Sequence, residues 1–349
     1  MNETRCPICD STNVLEIESF QARDDEGWVY LSKILNKNKR DTLEITGKMK
    51  PFQCEQCASY FFDPWFSDHE VSTAFTKSIS RHQSGWLNLQ HALTSRKLST
   101  IQILNQAILE VVVKNIRVTS YAELGMPFNG LHLLNFIAEN SVIQRIFRFR
   151  KVLTRNPDTR TRAASRVYDI LSNVGINFIV LILVFESLAR SLASRNSVKT
   201  VSGLNLPEAS RFFLTDASSY GWGFGDESFG LPSLKIAAEL FNLQVIPQAD
   251  AKQGNYKFDL IGIFNYFDHL SSPLETLENA MDMANTIVFT VHQSQFAGKQ
   301  HRLAINKDFS TFLNRKYPAW SASNLDVSHL DLAPCDTYNV FLIEKRKSC

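Results

Sequence analysis

Two Cys-x-x-Cys pairs near the N-terminus, Cys6-Pro-Ile-Cys9 and Cys54-Glu-Gln-Cys57, constrain this chain more than any other feature. Each pair makes a tight turn that aims two sulfurs at one point, so together they supply the four thiolates of a tetrahedral zinc site. The 44 residues between Cys9 and Cys54 require a loop or hairpin between the knuckles. Zinc binding of ~10–16 kcal/mol is enough to fold a small module that lacks a core of its own. A redox pair would be expected singly, beside a βαβ pattern. With Cys335 and Cys349 the other cysteines, two such pairs point instead to structural zinc. All four ligands are cysteine, which leaves no open coordination position for catalysis.

The chain has 349 residues, longer than one typical domain, so a core-forming domain with a smaller attachment is expected. Apolar residues at 44% and charged residues at 21% describe a soluble globular protein. A net charge of +2 argues against a dedicated nucleic-acid binder. The opening MNETRCPICD is polar and lacks the apolar core of a secretory signal, and the cysteines suit a reducing cytoplasm. Three segments are expected: a zinc-binding module over 1–66, a helical linker or cap over 67–116, and an α/β domain over 117–349. In the last segment, β-like runs such as SRFFLTD, FDLIGIF, NTIVFTVH and YNVFLIEK alternate with helix-like stretches such as LPSLKIAAELFN and PLETLENAMDMA. That alternation indicates a layered fold with a largely parallel sheet.

One region, about 140–207, interrupts the alternation with far more chain than a βαβ connection needs. Arg145 to Arg166 holds eight Arg or Lys residues against the single acid Asp158, and is followed by the apolar run Val174–Phe185. As a helix that run would be about 18 Å long, short of the ~30 Å hydrocarbon core of a bilayer. Two expectations follow for 145–193. One is a helical hairpin packed on the domain or on another subunit, with solvated arginines. The other is a surface that meets a membrane or a lipid-linked substrate, with cations facing anionic headgroups. The oligomeric state is not specified by the sequence.

The segment Tyr121-Ala-Glu-Leu-Gly-Met-Pro-Phe-Asn-Gly130 reads as a strand ending at Glu123, a turn opened by Gly125, and a helix started by Gly130. Ligands in open α/β sheets bind beyond the carboxyl ends of the strands. The G-x-G-x-x-G fingerprint and the P-loop lysine are both absent, which weakens dinucleotide binding and removes a nucleotide triphosphatase. An acid followed by a glycine turn suits a cofactor with a cationic amine and no phosphate, and S-adenosylmethionine has both properties. Further polar residues fall at successive strand ends. Asp216 closes SRFFLTD, where a carboxylate can accept two ribose hydroxyls, and Asp250 follows LQVIP as a candidate for the adenine amino group. Asn265, Tyr266 and His269 lie on the loop after the strand Phe258–Phe264, before Pro273 opens a helix.

These segments, above all FDLIGIFNYFDHLSSPLETL, resemble the class I S-adenosylmethionine-dependent methyltransferases. With the double knuckle in front, the chain is similar to family members with an N-terminal zinc module, including those acting on sugars and surface polysaccharides. The resemblance implies a Rossmann-like sheet with helices on both faces, a zinc-ribbon-like module before it, and a helical insertion between the first and second strands. It implies that Glu123, Gly125 and Gly130 hold the methionine end of the cofactor, Asp216 the ribose and Asp250 the adenine, with Asn265 lining the pocket. Tyr266 and His269 match the positions that assist proton removal in sugar C-methyltransferases. An unperturbed imidazole titrates near ~6.5 and a phenol near ~10, so His269 is the better base. The chain departs from the family in its Pro127 and in the long insertion. The expected activity is methyl transfer to a saccharide, nucleotide sugar or other small polar acceptor, in the cytoplasm or at the membrane periphery. The alternatives are a methyltransferase-like scaffold without catalysis, and an RNA methyltransferase whose zinc module and Arg145–Arg166 grip phosphates.

Overall fold

The computed structural model describes residues 4–17, 49–63, 93–94, 100–125, 130–155, 177–189, 212–215, 233–264, 266–270, 272–293, 303–327 and 338–346. Asp216, Asn265 and Pro127 lie outside them. The chain divides into two compact units: residues 1–74 with 248–349, and residues 75–247. The expected mixed α/β architecture is present, with parallel strands separated by helices along the chain.

The first unit contains both ends of the chain. Strands β1 (Val14–Glu16), β2 (Lys50–Cys54) and β3 (Ser59–Asp63) form an antiparallel sheet that carries the knuckles. The sheet of the zinc-binding module expected over 1–66 has a fourth member. Ser59, Tyr60 and Phe61 of β3 pair with Ile305, Ala304 and Leu303, the whole of a later strand. That short strand is fully buried.

The second unit begins, among its described elements, with helix α1 (Thr100–Asn115). Strand β4 (Tyr121–Gly125) follows, then α2 (Leu131–Glu139), α3 (Val142–Arg155) and α4, residues 177–189. Strand β5 (Phe212–Thr215), α5 (Ser233–Phe241) and β6 (Gln244–Pro247) complete it. β5 pairs in parallel with β4 on one side and β6 on the other. The described part of the 140–207 insertion is helical. Phe136 of α2, Ile146, Phe149 and Val152 of α3, Leu183 of α4 and Leu240 of α5 share one core. Arg145, expected in solution, is instead only 1% exposed and donates to the carbonyls of Ile137 and Asn140. It satisfies the C-terminal carbonyls of α2, where a cation also meets the negative end of the helix dipole.

The rest of the first unit continues with α6 (Gln248–Gln253), β7 (Phe258–Phe264), α7 (Pro273–Met283) and β8 (Ala284–His292). After β9 (Leu303–Ile305) come α8 (Phe309–Lys316), β10 (Trp320–Leu325) and β11 (Tyr338–Lys345). β7 and β8 are parallel; β11 lies antiparallel to β8, between it and β10. Within the second unit the strand order is β6-β5-β4, and within the first it is β7-β8-β11-β10. β7 is buried at every position except Asp259, which is why FDLIGIF is nearly continuous rather than alternating. Phe267, Phe289 and Phe341 stack through this core with centroid separations of 4.5 and 5.0 Å, and Phe309 meets Phe341 edge-on at 5.8 Å.

Candidate functional site

The four knuckle sulfurs lie within 4.8 Å of one another, with Cys6–Cys57 and Cys9–Cys54 each at 3.5 Å. Zinc–sulfur bonds of about 2.3 Å at tetrahedral angles require sulfurs about 3.8 Å apart, so the donor set fits zinc. The two knuckles repeat one backbone device. Asp10 N–H donates to Cys6 O and Ala58 N–H to Cys54 O, both at 2.9 Å. The residue after each second cysteine is left-handed, with φ of 57° at Asp10 and 56° at Ala58. Ser59 is fully buried, its hydroxyl 3.0 Å from Cys57 Sγ and 3.4 Å from Cys6 Sγ, placed to orient the ligands. Hydrogen bonds from Cys57 and Cys9 draw the Cys6 thiol down to about 2. The bonds to Cys6 and Cys9, with burial, push the Cys57 thiol up. Sulfurs that compete this way for protons are held where a divalent cation replaces those protons. Arg315, in the last turn of α8, donates to the carbonyl of Gln56 inside the second knuckle.

In the second unit, β4 runs on to Gly125, so Glu123 is central in the strand rather than at its end. Its carboxylate is 2% exposed. Oε1 accepts from the Tyr121 hydroxyl at 2.8 Å and from the backbone N–H of His132 at 3.2 Å. Oε2 has no hydrogen-bond partner among the described residues. The carboxylate thus sits on the first turn of α2, where free N–H groups and the dipole favour negative charge. Gly130, the N-cap, lies against it. A Cβ there would stand 2.1 Å from Oε1 and 2.7 Å from Oε2, so any other residue would displace the carboxylate. Burial, then the adjacent Glu123 charge, raises the Tyr121 phenol well above its ordinary range and keeps it a hydrogen-bond donor. His132 Nε2 bonds the carbonyl of Phe212 on β5 at 2.9 Å, tying the helix start to the neighbouring strand. Glu123, Gly125 and Gly130 are therefore gathered at one turn. Tyr121 and His132, which the sequence gives no role, complete it.

Of the other candidates, Asp250, Tyr266 and His269 belong to the first unit, and Asp216 and Asn265 lie outside the described residues. Asp250 stands on α6 in the turn after β6, and is exposed. Tyr266 is 1% exposed, within the core rather than on an open rim. His269 ends the 3-10 turn Phe267–His269 that follows β7. Two residues that sequence reading passes over meet beside that turn. Asp268 is fully buried, and its Oδ2 lies 2.5 Å from Nδ1 of His292, the last residue of β8. The His292 ring packs on Tyr338 of β11 at 4.3 Å between centroids. Burial, and secondarily the Asp268 charge, raises the Tyr338 phenol.

No family model matches the chain, and no curated protein matches it. Among solved structures it is similar to the methyltransferase domain of bacterial CtHen1 in two crystal structures. The first, of CtHen1-C, has 10% identity and a TM-score of 0.37, covering 71% of this chain and 100% of that one. The second, of CtHen1-CN, has 10% identity and a TM-score of 0.34, covering 70% and 99%.

Proposed function

We propose that the chain is an S-adenosylmethionine-dependent methyltransferase acting on a saccharide, nucleotide sugar or other small polar acceptor. The observation that carries the proposal is the β4–α2 turn. A buried carboxylate has one oxygen fixed by Tyr121 and His132 and the other without a hydrogen-bond partner among the described residues, beside a glycine that admits no side chain. An anionic acceptor in a backbone cradle fits the ammonium end of the cofactor, and the turn offers no lysine or glycine-rich nest for phosphate. When bound, the cofactor supplies an electrophilic sulfonium methyl. Glu123 fixes the amino-acid end, so that methyl transfer becomes a matter of alignment. Asp216, Asp250 and Asn265 are the proposed contacts for ribose, adenine and pocket wall. Proton removal is assigned to His269 and Tyr266, which follow β7. The zinc cluster keeps a structural role, because four thiolates complete its coordination.

Calorimetric titration of S-adenosylhomocysteine into the zinc-loaded chain tests the proposal. Saturable one-to-one binding that weakens in Glu123→Gln is expected; absence of binding in the wild type would overturn it.

A second part of the proposal concerns location. Phe178, Leu181, Ile182, Phe185 and Leu188 form an exposed apolar stripe along α4 at helical spacing. On α3, which has no acid, Ile143 and Phe147 are exposed with Arg150, Lys151 and Arg155. Apolar side chains accompanied by cations suit the headgroup boundary of an anionic bilayer. No described helix is long and apolar enough to cross a membrane. Sedimentation with phosphatidylglycerol vesicles, but not with phosphatidylcholine vesicles, is expected. Equal recovery with both would remove this part and leave the methyltransferase proposal standing.

A further inference from the structure

We propose that metal held by the cysteine cluster governs the order of the 3-10 turn Phe267–His269, with β9 and α8 as the link. The coupling lies within one unit and is independent of the methyltransferase reading. Its consequence for His269, the residue assigned to proton removal, rests on that reading.

The turn holds itself weakly. It has three residues and closes with Leu270 N–H to Phe267 O at 3.4 Å, longer than the ~2.7–3.2 Å of a good backbone bond. A single turn of this kind takes its order from what packs on it. Phe267, its first residue, is fully buried. The ring stacks on Phe289 at 4.5 Å and meets Phe309 at 6.5 Å. β9 packs against the same turn.

Both β9 and Phe309 are tied to the knuckles. Ser59 makes the first tie: its hydroxyl lies 3.0 Å from Cys57 Sγ and 3.4 Å from Cys6 Sγ, and its backbone is the register partner of Ile305. Tyr60 and Phe61 pair with Ala304 and Leu303, so every residue of β9 has a partner on β3. β9 is buried throughout, and buried N–H and C=O groups need such partners. The Ile305 carbonyl takes a further bond from Asn339 Nδ2 of β11. Phe309 opens α8, and the other end of that helix returns to the cluster, where Arg315 donates to Gln56 O at 3.1 Å. The segment from β9 to α8 is thus held to the second knuckle and its following strand at both ends, and packs on the turn in between.

The metal supplies the two states. β1 has no buried side chain and β2 only that of Cys54, so this sheet has little apolar burial of its own. Four thiolates sharing a divalent cation hold such a sheet folded; without the cation they do not. Loss of β3 leaves β9 without its ladder, and the local unfolding passes to the turn packed on it. Strands β7, β8 and β11 pair with one another and do not draw on β3. A chain stripped of metal therefore keeps those strands and loses the backbone position of His269.

The test is hydrogen exchange, read by mass spectrometry on the full-length chain, first zinc-loaded and then stripped with EDTA. Stripping is expected to speed exchange at Phe267–Leu270 and Leu303–Ile305 by about 10-fold or more, while Leu260–Ile263 of β7 keeps its rate. Restored zinc should reverse the change. An unchanged rate at Phe267–Leu270 in protein shown to be free of zinc would overturn the proposal. So would loss of protection in β7 together with the turn, which is global unfolding rather than coupling. Phe309→Leu weakens the contact with Phe267 and leaves the thiolates in place. It should bind one zinc per chain and show a smaller difference at the turn between loaded and stripped protein. A difference as large as the wild type's would overturn the route through α8. If this variant does not fold, the wild-type comparison decides alone. Failure of S-adenosylhomocysteine to bind, read by calorimetry, removes the role of His269 and leaves the coupling standing.

Discussion

The cysteine knuckles and the β4–α2 turn both wrap backbone closely around functional side chains, but they encode their chemistry differently. In the knuckles the chemistry is local: two ligands three residues apart, twice, with the same hydrogen bond and the same left-handed residue closing each turn. At the β4–α2 turn the chemistry is assembled. Glu123 acquires its character from Tyr121 two residues before, His132 nine residues after, and a glycine that leaves room for its carboxylate. Local devices declare their ligand in the sequence; assembled ones declare only that something is held.

The sharpest break in this contrast comes from removing a metal ligand. Cys54→Ser takes one of four thiolates from a site of the class worth ~10–16 kcal/mol. Loss of stoichiometric zinc is expected, with loss of the β1–β2–β3 sheet. Because β3 also pairs with β9, hydrogen exchange should quicken at Leu303–Ile305 too. Slow exchange there with zinc absent would show that the module and its neighbour strand are independent.

The corresponding change at the second region is Gly130→Ala. The new Cβ would enter the space of the Glu123 carboxylate and break its bonds to Tyr121 and His132. A cost of about 3 kcal/mol is expected from overpacking and lost buried hydrogen bonds, measured by denaturant unfolding. An unchanged midpoint would mean that the turn is looser than the geometry indicates.

Glu123→Gln sharpens the comparison by leaving shape and removing charge. S-adenosylhomocysteine affinity is expected to fall about 10- to 100-fold, the loss of one charge-assisted hydrogen bond, while zinc content stays at one per chain. Equal affinity in the two proteins would move the ammonium contact elsewhere.

The smallest effect belongs to Ala58→Gly. Its φ of 56° is a conformation in which a Cβ costs roughly 1–2 kcal/mol, offset in part by the entropy that glycine loses on folding. A modest rise in resistance to chelator-driven unfolding, under about 1 kcal/mol, is expected. Asp10→Gly should gain less, because aspartate tolerates the left-handed region better than alanine.

Much of the fold was legible because burial writes itself into local pattern. FDLIGIF reads as a buried strand, PLETLENAMDM as a helix opened by proline, and the spaced cysteines as one metal site. What escaped was set by distant pairing. β9 is three apolar residues, too short for a periodic signal, and gains its identity from β3. Arg145 sits in a basic run that suggests solvent, yet is captured by the carbonyls that end α2. The Asp268–His292 contact joins a turn and a strand end that carry no shared motif. In the candidate site, Glu123, Gly125 and Gly130 were legible as a strand–turn–helix, whereas Tyr121 and His132 became visible only once the strand and helix were packed together.

Hydrogen exchange of the zinc-loaded chain with and without S-adenosylhomocysteine tests the central claim most directly. The account predicts that the ligand slows exchange in β4, Tyr121–Gly125, and in the first turn of α2 from Leu131, and that Glu123→Gln weakens this protection. Binding that protects other segments while β4 and α2 exchange at their unliganded rates would contradict it.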